Sequence, residues 1–243
     1  MSGQTPSTAR DTILARVSEA LQVPAPPPHL KTHAAVPAAA GSLPVLPLEA
    51  ARPWLPDGGD SPEESLRILA ENLGRLRAEL HHVPDAAAAA AFLAGLARDR
   101  GWKRVALHGQ PLVEAAVRAL PCDAYRVDAG GFDKDALEGC DAGVTACEAL
   151  VAQTGSVLVS SATCGGRSLS VLPHVHVVVA TADQVVPTLA DALDAARGRH
   201  AGRLPSMLSF ITGPSRTGDI ERILVLGAHG PKELFVLLVG CYR

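Results

Sequence analysis

From residue 103 onward the sequence alternates short apolar runs with helix-like stretches, and this alternation does most to narrow the fold. The runs are KRVALHG (103–109), DAYRVD (123–128), DAGVTAC (141–147), SVLVSS (156–161), VHVVVA (175–180), MLSFITG (207–213) and LFVLLVG (234–240). They are rich in Val and bounded by Gly, Pro or polar residues, so they read as strands. Several are apolar throughout rather than alternating, as strands buried on both faces are. PLVEAAVRAL (111–120), CEALVAQ (147–153), DQVVPTLADALDAARG (183–198) and the stretch between GPSRT and HGPK read as helices between them. The pattern predicts an α/β domain, Rossmann-like, with a mostly parallel sheet and helices on both faces.

Upstream, SPEESLRILAENLGRLRAELHHV (61–83) predicts one long helix. Ser61 is its N-cap, Pro62 its first residue, and Glu63 and Glu64 complement the dipole. DAAAAAAFLAGLARDRG (85–101) predicts a second, capped by Asp85 and stopped by Gly101. Residues 1–60 form a separate arm. STARDTILARVSEALQV (7–23) makes an amphipathic helix with Ile13, Leu14, Val17 and Leu21 on one face, followed by a Pro/Ala-rich linker. That arm reads either as disordered or as docking on a second subunit. The division expected is 1–60 and 61–243.

The chain has 243 residues, 47% hydrophobic but only 3% aromatic, so Ala, Val and Leu must fill its core. A net charge of -3 gives no footprint for nucleic acid or a membrane surface. Five cysteines with no Cys-x-x-Cys pair argue against an iron–sulfur or structural zinc module. No metal site or cofactor motif is expected: neither Gly-x4-Gly-Lys-Ser/Thr nor Gly-x-Gly-x-x-Gly occurs. With no basic-then-apolar leader and no run of about 18 apolar residues, a cytoplasmic protein is expected.

Three turns concentrate polar groups next to strands, where α/β sheets bind ligands. In AQTGSVLVSS, Thr154, Gly155 and Ser156 offer two hydroxyls and an open amide. In TCGGRSLSVLPHVH, Arg167 follows Gly165 and Gly166, and its planar fork suits a carboxylate or phosphate. Each stretch reads equally as a solvated turn. Cys164 has no base fixed beside it, and His174 and His176 lack a third metal ligand. In ITGPSRTGDIERILVLGAHGPKE (211–233), Gly213, Pro214, Ser215, Arg216 and Thr217 would open a helix whose amides and hydroxyls receive an anion. Asp219 and Glu221 follow, as partners of Arg216 or as acid/base groups. His229 and Lys232 would lie one helix length away, roughly 13 Å, on a helix-stopping turn.

TGPSRTGDIERILVLGAHGPKEL (212–234), with AQTGSVLV and RSLSVLPHVHVVVA before it, resembles the LUD-domain family of the LutC or YkgG type. The resemblance spans about residues 145–240. It implies a NagB/RpiA/CoA-transferase-like fold and a part in oxidising L-lactate to pyruvate, with the iron–sulfur chemistry on LutA- and LutB-like partner proteins. Carried over by position, the motif residues are Thr154, Gly155, Ser156, Arg167, Pro173, Gly213, Pro214, Ser215, Thr217, Asp219, Glu221, His229, Gly230 and Lys232; with Arg216 added, Asp219 and Glu221 are the catalytic candidates and the others, Pro173 and Gly230 aside, the ligand-binding set. Gln153 departs from the pattern, since many relatives carry Glu there. Arg167 is the expected seat of a small carboxylate. The alternatives are a CoA-, folate- or sugar-phosphate-dependent enzyme of the same fold group, and a non-catalytic scaffold.

Overall fold

The computed structural model describes residues 9–22, 55–128, 133–217, 225–227 and 230–240. Its helices are α1 (Ala9–Gln22), α2 (Pro62–Arg75), α3 (Ala86–Arg100), α4 (Pro111–Val117), α5 (Lys134–Glu138), α6 (Ser161–Cys164) and α7 (Leu189–Arg199). Its strands are β1 (Glu79–Val83), β2 (Arg104–Leu107), β3 (Asp123–Arg126), β4 (Ala142–Thr145), β5 (Ala149–Val151), β6 (Ser156–Ser160), β7 (Val175–Thr181), β8 (Val185–Val186), β9 (Leu208–Ile211), β10 (Arg216–Thr217), β11 (Val225–Leu226) and β12 (Glu233–Val239). The chain divides into two compact units, Met1–Pro53 and Trp54–Arg243. In the first, α1 exposes Ile13, Leu14 and Val17.

The larger unit is built on a six-stranded, wholly parallel sheet in the order β1-β12-β7-β4-β2-β3. The period of two along each strand assigns its two faces. Val105, Leu107, Val144, Val177, Val179 and Leu237 pack against Leu93 and Ala97 of α3 and Val113 and Ala116 of α4. On the other face Val178, Ala180, Val236 and Leu238 meet Leu69 and Leu73 of α2 and the inner side of a second, four-stranded sheet, β8-β5-β6-β9. The outer side of that sheet, Ala149, Val151 and Leu158, is covered by Ala192 and Ala196 of α7. Small and branched side chains dominate these interfaces, as the lack of aromatics demanded.

Ser61 Oγ accepts from the Glu64 amide, Asp85 caps α3, and Gly101 closes α3 in the left-handed conformation at φ 65. Four sequence expectations are corrected. Residues 79–83 are strand, not the end of a helix: α2 stops at Arg75, Arg77 turns the chain at φ 62, and β1 pairs in parallel with the open side of β12. CEALVAQ holds a strand and then a single 3-10 turn at Ala152–Thr154 rather than an α-helix, because Ala149, Leu150 and Val151 are buried on both sides; a strand between two layers satisfies that and a one-faced helix does not. Residues 183–188 precede the helix: Val185 and Val186 pair with β5, and α7 begins after Thr188, whose hydroxyl caps the Asp191 amide.

The fourth correction concerns the stretch around residue 216. Arg216 and Thr217 pair antiparallel with Leu226 and Val225, so no single helix joins GPSRT to HGPK. The ladder brings the two turns together instead. The Ser215 amide donates to the Pro231 carbonyl at 2.8 Å and the Gly227 amide to the Ser215 carbonyl at 3.0 Å.

Candidate functional site

Crossovers from β2 run toward β3 at one edge of the parallel sheet, whereas those from β4 run through β7 to β12 on the other side. The boundary between β2 and β4 is therefore a switch point, where two connections leave in opposite directions and open a crevice beyond the strand carboxyl ends. A cleft of about 370 Å³ lies there. Gln110, Pro111 and Leu112 line it from the segment after β2, and Ala146 and Cys147 from the segment after β4. Thr181, Asp183 and Gln184 come from the end of β7, Thr163 from α6, and Arg199 from the last turn of α7.

Behind the cleft stands a buried carboxylate. Glu148 has a side chain 0% exposed, and its Oε1 accepts from Ser160 Oγ at 2.6 Å and lies 2.9 Å from His200 Nε2. Its Oε2 and its carbonyl both accept from Arg199 Nη1, at 2.6 and 2.7 Å. Burial pushes this carboxyl up. The hydrogen bonds of Ser160, His200 and Arg199, with the Arg199 charge, outweigh burial and hold it below its ordinary range. Both of the Arg199 bonds leave from one terminal nitrogen. Its other N–H groups have no partner among the described residues, and its side chain stays 42% exposed. The result is a guanidinium locked on its inner edge and open on its outer edge, a geometry that receives an oxyanion.

Cys147 on the cleft wall is not a nucleophile of the usual kind, because burial pushes its thiol up to about 12. Cys164 is likewise pushed up to about 11 by burial, and its thiol donates to the Ser160 and Gly166 carbonyls. His176, buried in the parallel sheet, lies 2.9 Å from Thr145 Oγ1 and is lowered by burial to about 4; its Nδ1 has no partner among the described residues. It is a neutral core histidine.

The residues expected from the sequence fall in two places. At the amino-end side of the parallel strands, Thr154 Oγ1, Ser156 Oγ and Thr212 Oγ1 form a chain of hydroxyls at 2.7 and 2.8 Å. Gly155, at φ 64, packs on α2 so closely that a Cβ would meet Asn72 Cβ at 2.9 Å; Gly213, at φ 83, does the same against Leu76. Arg216 donates to the Leu76 carbonyl, Pro214 is buried, and the exposed Lys232 lays its stem across Gly227. Gln153 is buried and donates to the Pro56 carbonyl at 2.7 Å. Thr217 contributes backbone pairing; its side chain, and Asp219, Glu221 and His229, lie outside the described residues. Arg167 stands apart from this cluster. It is exposed after Gly165, whose position abuts His108 and Val127 just beyond the carboxyl ends of β2 and β3.

The LUD domain model matches residues 66–239, most of the chain. The chain belongs to the LUD domain family. Among curated proteins, the LUD domain here is 34% identical to "Lactate utilization protein C" of Bacillus subtilis over 122 residues, covering 49% of this chain and 51% of that one. It is 35% identical to the protein of that name from Deinococcus radiodurans, covering 43% and 49%. It is 27% identical to that of Geobacillus kaustophilus over 76% and 82%. The match thus spans about half the length of the first of these relatives. The crystal structure of a DUF162 family protein from Deinococcus radiodurans superposes with a TM-score of 0.58 at 26% identity, covering 75% of this chain and all of that one. No described helix of the LUD-domain chain is long and apolar enough to cross a membrane.

The sequence of this LUD domain marked Asp183 only as a helix cap, a role that Thr188 holds instead, and did not single out Glu148, Arg199 or His200. One signal was present: a Glu inside the apolar run TACEALVA has to find a partner if that run is buried. Nothing local said that the partners lie 51 and 52 residues on.

Proposed function

We propose that this LUD-domain chain serves in lactate utilisation, as a component acting with iron–sulfur partner proteins in oxidising L-lactate to pyruvate, and that it holds a small carboxylate in the switch-point cleft. The name shared by its relatives supports the pathway. The observation that carries the ligand class is Arg199, one edge tied to the fully buried Glu148 and the other open to the cleft. A buried carboxylate with three side-chain partners costs desolvation that an apolar residue would avoid. Its return is a guanidinium with fixed orientation. Arg167, on the same end of the sheet, is in this reading an outer contact for the anion.

The signature residues around Thr154, Gly213 and Ser215 serve the same reading as a junction. Several of their polar groups bond to one another or to α2, and their glycines admit α2 and the turn at residue 230 at close range. They pin both ends of the segment that carries Asp219 and Glu221.

Calorimetric titration of the full chain with L-lactate and pyruvate tests the proposal, together with lactate-dependent dye reduction by the chain combined with its iron–sulfur partners. Arg199→Ala is expected to lower affinity by about 10–100-fold, the worth of a charge-assisted carboxylate contact. Arg199→Lys keeps a charge beside Glu148 but loses the fork, and should be intermediate. Absence of binding to either acid, or unchanged binding in both variants, rejects the reading.

A further inference from the structure

A strand at the edge of a sheet offers a row of unpaired N–H and C=O groups, and folded chains protect such rows with charge, proline or shortness. The two larger sheets end in the edge strands β1, β3, β8 and β9. β1 carries Glu79, His81 and His82, and β3 carries Asp123 and Arg126. β8 is only Val185–Val186, with Pro187 directly after it. β9 has none of these devices. No charged residue lies between Arg203 and Arg216, and Pro205 and Pro214 stand outside the strand.

The pairing of β9 with β6 fixes where its main-chain groups point. The Ser161 amide donates to the Met207 carbonyl at 3.0 Å, so Met207 bonds toward β6. Antiparallel pairs alternate between bonded and non-bonded positions, so Ser209 and Ile211 bond toward β6 as well. Ser160, opposite Leu208, spends its own amide on Thr163 Oγ1 at 2.9 Å and not on β9. Leu208 and Phe210 therefore aim N–H and C=O away from the sheet, where they meet no partner among the described residues. Their side chains share the outer face of that sheet. α7 lies over β5 and β8 and leaves the β9 end of this face open. Leu208 reaches the cluster beneath α7, but Phe210 stays 37% exposed, and Leu204 just before the strand is exposed too.

We infer that β9 is the contact strand of a symmetric dimer, in which two copies of this chain pair their β9 edges antiparallel about a twofold axis beside Ser209. Leu208 of each copy then opposes Phe210 of the other in a bonded pair, giving about four main-chain hydrogen bonds and one continuous sheet across the axis. The Leu208 and Phe210 side chains of both copies fall on one face and cover each other. The occupant is a second copy because the strand complements itself. In this register each outward donor meets an acceptor, apolar side chains meet apolar ones, and the uncharged stretch 204–215 brings no like charges together. A charged partner surface would find no counter-charge there.

Sedimentation velocity of the full-length chain tests this, and the wild type is expected to run as a dimer at micromolar concentration. Phe210→Lys places two ammonium groups diagonally across the axis, with backbones about 7–8 Å apart, and should weaken self-association by about 100-fold. Phe210 is exposed, so the circular dichroism of the variant should match the wild type. Phe210→Asp should also be monomeric alone, and an equimolar mixture of the two variants should dimerise again. Hydrogen exchange on the wild type gives a reading free of substitution. The Leu208 and Phe210 amides should exchange slowly in the dimer and faster on dilution, while those of Ser209 and Ile211 stay slow throughout. A monomeric wild type, a Phe210→Lys variant that dimerises at wild-type strength, mixed variants that stay monomeric, or fast exchange at Leu208 and Phe210 in the dimer each overturns the interface.

Discussion

Removing the Arg199 side chain tests how the cleft is built as well as what it binds. In Arg199→Ala the Glu148 carboxylate loses two of its links to α7, the 2.6 Å bond to Oε2 and the 2.7 Å bond to the backbone carbonyl. Ser160 and His200 remain on Oε1. Breaking a buried pair by deleting one partner typically costs about 3–5 kcal/mol, because the other charge stays behind without water. Here the Arg199 side chain is 42% exposed, so water enters part of the space it leaves, and about 2–3 kcal/mol is expected. Urea unfolding of wild type and variant near neutral pH measures this directly. Glu148→Leu combined with Arg199→Met removes both charges and should recover most of the loss, since an apolar pair often replaces a buried ion pair without penalty. The pH profile supplies an independent check. Glu148 is held below its ordinary range in the folded state, so the unfolded chain binds the proton first. Its contribution is complete above about pH 4.5 and is lost as the pH falls through the lower folded value. A loss below about 1 kcal/mol in Arg199→Ala, or a double variant no better than the single one, refutes the claim that Glu148 depends on Arg199.

Other consequences are as specific. His176, lowered to about 4 by burial, stays neutral when folded while the unfolded chain takes up a proton near 6.5, so stability should fall between about pH 6.5 and pH 4; His176→Leu should flatten that window in acid-unfolding curves. Gly155→Ala must adopt φ 64 and press a Cβ against Asn72, so it should lose about 2 kcal/mol or more in thermal or urea unfolding, whereas Gly95→Ala, with open space at the Cβ position, should be neutral or stabilising. Cys147 and Cys164, with thiols pushed up to about 12 and about 11, should resist iodoacetamide at neutral pH in the native chain and react after unfolding, while the partly exposed Cys122 reacts first.

The family signature was legible in sequence because each of its parts is local. Gly155 takes the left-handed turn after Thr154, Gly213 does so before Pro214, and the hydroxyls beside them meet across one short gap. The parallel sheet was legible because strands buried on both faces read as unbroken apolar runs. The same rule misled at 149–151 and 79–83, where local pattern allowed a helix and the neighbours β6, β8 and β12 required a strand.

By itself, then, the sequence determined the class of the domain, the caps of α2 and α3, and the glycine turns on which its signature rests. These depend on periodicity and on backbone conformations available to few residues. Tertiary structure alone decided that GPSRT and GPK are neighbours rather than opposite ends of a helix, and that Glu148 meets Arg199 and His200 beside the cleft. The reason is physical. A buried charge finds its partner through the packing of α7 on β5, and strand pairing joins residues by register, so neither leaves a trace in the spacing of the chain.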